Sequence, residues 1–454
     1  MLKTFSIGGV HPEGNKISAH QNIRQAELPK QAIILLGQHI GAPAKAIVKR
    51  GDEVLVGQKI AEAGGFVSAA IHSPVSGKVA KLDTTIDASG YRKPCIIIDV
   101  QGDEWVDTID RTPDLVTETT LDSKEIIDTI KEAGIVGMGG ACFPTHVKLM
   151  PPPGNTAECL IINAVECEPY LTADHQLMLE HAQEILIGVK LLMKAIKVNK
   201  TYIGIENNKP DAIELMTKVA SKYAGVEVVP LKIKYPQGGE KQLIDAIINR
   251  KVGSGKLPIS TGAVVQNVAT AFAVYQAVMK HKPLFERVVS VTGRSVAKPS
   301  NLWARFGTPL SQMIDECGGL PEDTGKVIAG GPMMGKALPT LEIPSAKGTS
   351  GILIMQEKES RRLEIQDCIR CGKCIEACPM GLEPYLIIAQ AMKQEWDKVE
   401  KDSIMDCIEC GSCQFTCPAQ RPITDYCRLS KAKVGGILRA RAAEARAASE
   451  SAKK

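Results

Sequence analysis

The runs Cys368-Ile-Arg-Cys371-Gly-Lys-Cys374-Ile-Glu-Ala-Cys378-Pro379 and Cys407-Ile-Glu-Cys410-Gly-Ser-Cys413-Gln-Phe-Thr-Cys417-Pro418 share one register. In each, three cysteines stand two residues apart, a fourth follows after three more, and proline closes the run. Spacing of this kind is that of [4Fe–4S] ligand runs. Eight thiolates in two matched registers predict a small unit of short helices folded around two such centres. CxxC pairs also build zinc ribbons, but a third CxxC-spaced cysteine and the Cys-Pro ending argue against zinc.

Outward from these runs, the unit is expected to span 356–430, with a charged spacer, QEWDKVEKDS, between its halves. The tail from Leu429, and the whole of 431–454, is rich in Lys, Arg and Ala and predicts a helix, either a solvated end or a docking segment. At 454 residues the chain is too long for one core, and three or more domains are expected. Few aromatics and 40 glycines suit an α/β protein with tight loops. A net charge of +4, with no basic run interleaved with aromatics, gives no sign of nucleic-acid binding.

Cys95, Cys142, Cys159, Cys167, Cys317 and Cys427 lie outside the runs with no framework spacing, which points to a reducing cytoplasm. The start lacks the apolar segment of a signal peptide. No window approaches the ~18 apolar residues of a membrane span, so a soluble chain is expected, with membrane contact through partners.

Residues 1–35 read as an extended polar arm. From 36 to 115, short alternating β-prone runs are broken by Gly51-Asp52 and Ser76-Gly77 turns. With GD-x-V-x-x-GQ and SP-x-x-G, this stretch resembles the biotinyl/lipoyl barrel-sandwich fold. The tip that carries the prosthetic-group lysine in that fold reads Gly64-Gly65-Phe66-Val67-Ser68-Ala69-Ala70, with no lysine, so a docking or scaffold role is expected. Between 116 and 285, helix patterns (SKEIIDTIKEAG, LMLEHAQEILIGVKLLMKAI, DAIELMTKVASKYAG) alternate with apolar runs (ECLIINAV, KTYIGIE, VEVVPLKI). That alternation predicts an α/β domain with a largely parallel sheet. RVVSVTGRSV, LSQMIDECGG and GKVIAGGPMMG within 286–355 resemble a soluble ligand-binding β-grasp module.

A second constellation begins at Gly134-x-x-Gly137-x-Gly139-Gly140-Ala141-Cys142-Phe143-Pro144-Thr145-x-x-Lys148. A glycine turn lets backbone amides approach an anionic phosphate, and a following lysine completes the charge pairing. By itself such a loop is as readily a tight turn. Asn163-Ala164-Val165-Glu166-Cys167-Glu168-Pro169, Gly238-Gly239-Glu240 and Val265-Gln266-Asn267-Val268-Ala269-Thr270 follow it in order.

This ordered set resembles the FMN- and NADH-binding flavoprotein subunit of respiratory complex I. The resemblance implies FMN contacts at Gly137, Gly139, Gly140, Lys148, Asn163, Glu166, Gly239, Glu240 and Asn267, and NADH contacts at Phe143 and Glu168. Phe143 reads equally as a core residue. Met138, Val165, Lys241, Gln266 and Ala269 depart from that family's polar pattern. His146 is read as a hydrogen-bonded structural histidine rather than a proton carrier. The cysteine runs resemble the bacterial two-cluster ferredoxin, whose fourth cysteine ligates the other run's cluster. That implies Cys368, Cys371, Cys374 and Cys417 on cluster one, and Cys378, Cys407, Cys410 and Cys413 on cluster two.

The GGVHP arm, QHIGAPAK, the barrel-sandwich, PTHVKL, the β-grasp module and the paired runs stand here in the order found in the RnfC family, a component of the Rnf electron-transport complex. The chain resembles that family over nearly its whole length. The resemblance implies a multidomain α/β protein: arm, barrel-sandwich β domain, FMN/NADH-binding α/β domain, β-grasp module and helical ferredoxin domain. It implies FMN, two [4Fe–4S] clusters and NAD(H) as substrate. It implies electron exchange with ferredoxin through partner subunits, Na+ or H+ translocation by the complex, and a peripheral place on the cytoplasmic side of the cell membrane. No residue need act as acid or base, because a flavin accepts hydride and releases electrons singly. The rivals are the cobalamin reductase of bacterial microcompartments and a non-catalytic scaffold with structural clusters. The NADH-binding component of hydrogenases and the cluster-free component of the sodium-pumping NADH:quinone oxidoreductase fit less well.

Overall fold

The computed structural model describes residues 2–451. The chain divides into two compact units. The first is built from residues 13–232 and 258–361 with the short stretch ending at Lys3, and the second from 4–12, 233–257 and the stretch from Arg362 onward.

In the first unit, two antiparallel sheets form the barrel-sandwich. One runs in the order Gln31–Leu35, Arg92–Val100, Gly77–Ile86, Glu53–Val54, and the other Lys45–Ala46, Lys59–Glu62, Ile71–His72. Ala32, Ile34, Ile60, Ile71, Val79, Ile96 and Ile98 share one buried core. The strand Gln31–Leu35 lies inside the stretch read as a polar arm. Ala32, Ile34 and Leu36 point into that core; the signal is a five-residue apolar run, Ala32–Leu36, at the end of a polar stretch. Gly51 holds φ +93°, where a turn excludes most side chains. The β-grasp module is the centre of a six-stranded sheet with strands Glu286–Thr292, Ser300–Arg305, Thr324–Ala329 and Gly351–Gln356, beside the helix Leu310–Glu316.

The α/β domain has four parallel strands in the order Val226–Leu231, Thr201–Glu206, Cys159–Asn163, Ala263–Asn267. Both central strands are buried nearly throughout, as continuous apolar runs in a sheet covered on both faces require. The helix Ser123–Glu132 starts on a capping box between Asp122 and Glu125. The pattern read as one helix over 177–196 is two, Ala173–Glu180 and Ala182–Ile196, broken at His181 with φ −129°. Helix Ala182–Ile196 crosses Val268–Lys280 at Gly188, where an added Cβ would lie 1.9 Å from the Ala271 carbonyl oxygen. Gly188→Ala gains about 1 kcal/mol of helix propensity but drives a methyl into backbone that cannot turn aside. Overpacking of about 1–3 kcal/mol wins, and thermal unfolding followed by circular dichroism should show a lower midpoint.

The second unit is helical. Helices Pro384–Met392, Trp396–Lys401 and Ile423–Ser451 bury Ile387, Ile388, Val399, Ile423 and Val434 together. The charged spacer therefore contains a helix, anchored by Val399. Residues 233–257, read as part of the continuous 116–285 domain, pack here instead. Tyr235 Oη donates to the Cys410 carbonyl at 2.9 Å, and Gln242 Nε2 to the Pro379 carbonyl at 3.2 Å.

Candidate functional site

In the α/β sheet the first strand in sequence lies between the second and the fourth, so the strand order reverses between Cys159–Asn163 and Ala263–Asn267. Open parallel sheets bind ligands outside the carboxyl ends of the strands at such a reversal. Asn163 and Asn267, the last residues of the two strands, are register partners there. Two residues named from sequence, over a hundred positions apart, thus meet at the mouth of one crevice.

Asn267 does more than face a ligand. Its Oδ1 accepts from the amides of Ala269 (2.9 Å) and Thr270 (3.4 Å), capping the helix Val268–Lys280. Its Nδ2 donates to Asp174 Oδ2 at 2.7 Å. The glycine loop is seated on this cap. The Gly137 amide donates to the Phe143 carbonyl (2.8 Å) and the Met138 amide to Thr270 Oγ1 (2.9 Å), while buried Arg287 donates to the Met138 carbonyl (3.2 Å). An added Cβ on Gly139 would lie 3.3 Å from Asn267 Cβ. Gly139, Gly140 and Ala141 are exposed, and their amides make no backbone hydrogen bond among the described residues. That is the arrangement a loop needs to receive an anionic group.

Lys148 is half-buried and donates to the Val265 carbonyl at 2.8 Å. Glu166, at φ +47°, accepts from the amides of Asp174 (2.8 Å) and His175 (3.1 Å) and so caps the helix Ala173–Glu180. Lys16 ties this segment by donating to the carbonyls of Glu166, Glu168 and Leu171. Glu168 accepts from the amides of Met333 (3.2 Å) and Met334 (2.8 Å), which belong to the β-grasp module. Phe143 is half-buried. His146 is buried, and burial lowers its basicity, while a hydrogen bond to the Phe66 carbonyl opposes that. Gly239 and Glu240 open the helix Glu240–Ile248, which belongs to the second unit.

Thr270, which the sequence showed only as the end of the run that opens its helix, helps hold this crevice together, as do Asp174, Arg287 and Lys209, which were not among the residues named from sequence. Lys209 is buried, donates to the Val165 carbonyl (2.8 Å), and is pulled down to about 8 by burial. Only Asp174 had a local signal, as an acidic residue in the first turn of a helix. Burial, and then the Glu166 charge, push its carboxyl up to about 6. A folded value above the ~3.9 of a free aspartate means that the folded state holds the proton more tightly. Its contribution to stability therefore falls as pH rises from about 4 through 6. Asp174→Asn keeps an acceptor for Asn267 and removes that titration. Between pH 4 and 7.5, urea unfolding should show the variant gaining on the unsubstituted chain by on the order of 2 kcal/mol.

In the second unit, Cys378, Cys407, Cys410 and Cys413 line one cavity, with Cys427 as a fifth thiol. One cysteine of the first run thus joins three of the second. The Leu382 amide donates to Cys378 Sγ and the Glu409 amide to Cys407 Sγ, both at 3.4 Å. Of the other four, Cys368 and Cys371 are exposed and Cys374 and Cys417 half-buried. The two halves repeat in backbone. Arg370 and Glu409 hold φ +55° and +56°, and Gly372 and Gly411 hold +76° and +79° before short helices. Among the described residues no three His, Cys, Asp or Glu side chains stand close enough to hold a single metal ion. The four thiols of the register that share this cavity supply four sulfur donors in one place. An all-sulfur donor set fits an iron–sulfur centre.

Four segments match known families: residues 3–103 the RnfC barrel sandwich hybrid domain, 130–276 the Nuo51 FMN-binding domain, 288–337 the SLBB domain, and 364–421 the 4Fe-4S dicluster domain. These matches indicate capacity for FMN and for 4Fe-4S centres. The multidomain architecture expected from sequence is the one found. Relatives of the RnfC type match nearly the whole chain. It is 44% identical over 432 residues to the RnfC-type component of the Na(+)-translocating ferredoxin:NAD(+) oxidoreductase complex of Acetobacterium woodii, covering 94% of this chain and 96% of that one. It is 46% identical over 442 residues to the proton-translocating counterpart of Clostridium ljungdahlii, covering 95% and 94%. With the corresponding component of the ion-translocating oxidoreductase complex of Rhodobacter capsulatus it shares 42% over 441 residues, 95% of this chain and 84% of that one.

Proposed function

The chain belongs to the RnfC family of ion-translocating ferredoxin:NAD(+) oxidoreductase complexes, and on that footing we propose that it is the NAD(H)-handling redox subunit of such a complex. It exchanges electrons between NADH and, through partner subunits, ferredoxin, using FMN and two [4Fe–4S] clusters. Bound FMN would supply the exchange between hydride and single electrons. The relatives named above divide between Na(+) and proton translocation, so either ion suits the complex. Among the described residues no helix is long and apolar enough to cross a membrane. The place we assign is peripheral, on the cytoplasmic side of the cell membrane, held by partner subunits.

The residues divide the work. Exposed amides at Gly139 and Gly140 receive the flavin phosphate, and Gly137 sets the turn that presents them. Asn163 and Asn267 close the crevice floor, with Asn267 also holding the helix cap and Asp174. Glu166 and Lys148 hold backbone on either side of the crevice, and so act by positioning. Phe143 and Glu168 are assigned to NADH, and Gly239 and Glu240 to FMN, by family likeness. Cys368, Cys371, Cys374 and Cys417 bind one cluster; Cys378, Cys407, Cys410 and Cys413 bind the other. The observation that carries the reading is the meeting of the glycine loop with the Asn163–Asn267 pair at the sheet's reversal point, in a chain that also bears eight cysteines in ligand register.

The test is anaerobic mixing of the purified chain with NADH while flavin and cluster absorbance are followed. Bleaching of the flavin followed by a fall in the broad iron–sulfur absorbance is expected. Clusters without flavin, and no response to NADH, would leave the scaffold reading standing.

A further inference from the structure

We propose that the Cys427 thiol is a hydrogen-bond donor to the cluster held by Cys378, Cys407, Cys410 and Cys413, and that it sets that cluster's reduction potential. The inference rests on the iron–sulfur reading given above. Cys427 is 2% exposed and lines the cavity those four cysteines share. It faces Cys407 and Cys413 across that cavity, with its thiol as the fifth sulfur of the lining. The ligand register needs four thiols, and all four are present without it, so Cys427 is surplus as a ligand.

The internal repeat sharpens the point. Cys427 is the fifth residue of the helix Ile423–Ser451, and the fifth residue of the helix closing the other half, Pro384–Met392, is Ile388. Both side chains are 2% exposed in the same core. In the first half the position takes a branched apolar side chain. Beside the second cavity it takes a thiol. The helix is fixed close to the ligands, for one turn on, Lys431 Nζ donates to the Cys407 carbonyl at 2.5 Å.

A donor to a thiolate stabilises negative charge, and a reduced cluster carries one negative charge more than an oxidised one. The donor therefore favours the reduced state and raises the potential. Second-sphere partners of this kind tune metal centres without touching the metal.

The experiment is an EPR-monitored redox titration of the full chain and of its Cys427→Val, Cys427→Ala and Cys427→Ser forms, with iron and sulfide analysis of each. In Val and Ala, one cluster should become harder to reduce by about tenfold in the reduced-to-oxidised ratio at fixed potential, about 59 mV for one electron. The other cluster should not move, iron content should hold, and Ser, which keeps a donor, should recover part of the shift. Unchanged potentials in Val and Ala would overturn the proposal. So would loss of one cluster's iron in all three forms, which would make Cys427 a ligand or a structural residue. If the unsubstituted chain itself holds no pair of [4Fe–4S] centres, the underlying reading fails instead.

Discussion

Cys378→Ala combined with Cys407→Ala is expected to leave the chain with about half its iron, on the order of four atoms of eight. Cys368→Ala combined with Cys378→Ala is expected to leave almost none. The two pairs are chosen because they reverse the outcome of the alternative. If each run held its own cluster, the first pair would strike both centres and the second only one. The shared cavity places Cys378 with Cys407, Cys410 and Cys413. The first pair therefore removes two ligands from one centre and leaves Cys368, Cys371, Cys374 and Cys417 intact. Iron and acid-labile sulfide analysis after anaerobic reconstitution reads the result. Stability should fall along with the iron. Cys378 is buried in the same core as Ile387 and Ile423, so truncating it opens a void besides losing a ligand.

Gly139→Val should abolish flavin binding while leaving iron content unchanged. A Cβ there would sit 3.3 Å from Asn267 Cβ and 3.4 Å from Asn267 Nδ2. Alanine needs a shift of a few tenths of an ångström, and flavin occupancy should fall only in part. Valine adds two further carbons to a place where one is already tight. Either the loop lifts, turning the amides of Gly139 and Gly140 away from the crevice, or Asn267 moves. If Asn267 moves, the helix Val268–Lys280 loses a cap of about 1 kcal/mol, and Asp174 loses its partner. Flavin released by acid from purified protein should drop more than tenfold for valine, with the far-ultraviolet circular dichroism unchanged. Full flavin occupancy in the valine form would show that the loop does not hold the cofactor.

Much of this was legible in the chain itself, wherever the signal is local. Cysteine spacing announces its chemistry because ligand geometry is short-range and a run of eleven residues spans it. The parallel sheet was legible because central strands read as unbroken apolar runs and the covering helices carry a helical period. The glycine loop was visible for the same reason: a close backbone approach excludes side chains, and their absence shows in sequence. The strand Gln31–Leu35 was missed because its apolar run, Ala32–Leu36, is short, carries no alternation and closes a polar stretch. The break at His181 was missed because the apolar pattern runs straight through it.

Tertiary structure decided what long-range geometry controls. No local pattern reveals that Asn267 caps a helix and holds Asp174 at once, since Asp174 lies 93 positions away. Nor does any pattern show that Arg287 and Lys209 support the crevice from segments far along the chain. The helix Glu240–Ile248 reads as part of the α/β domain by sequence order, yet it packs in the second unit, because Gln242 and Tyr235 find carbonyl partners there at Pro379 and Cys410. Cys427 looks like one more free thiol until the fold turns it into the cavity that Cys378, Cys407, Cys410 and Cys413 line. Spacing and periodicity name the chemistry a chain carries. Which buried groups share a partner, a charge or a cavity is settled only when packing brings distant segments within hydrogen-bond reach.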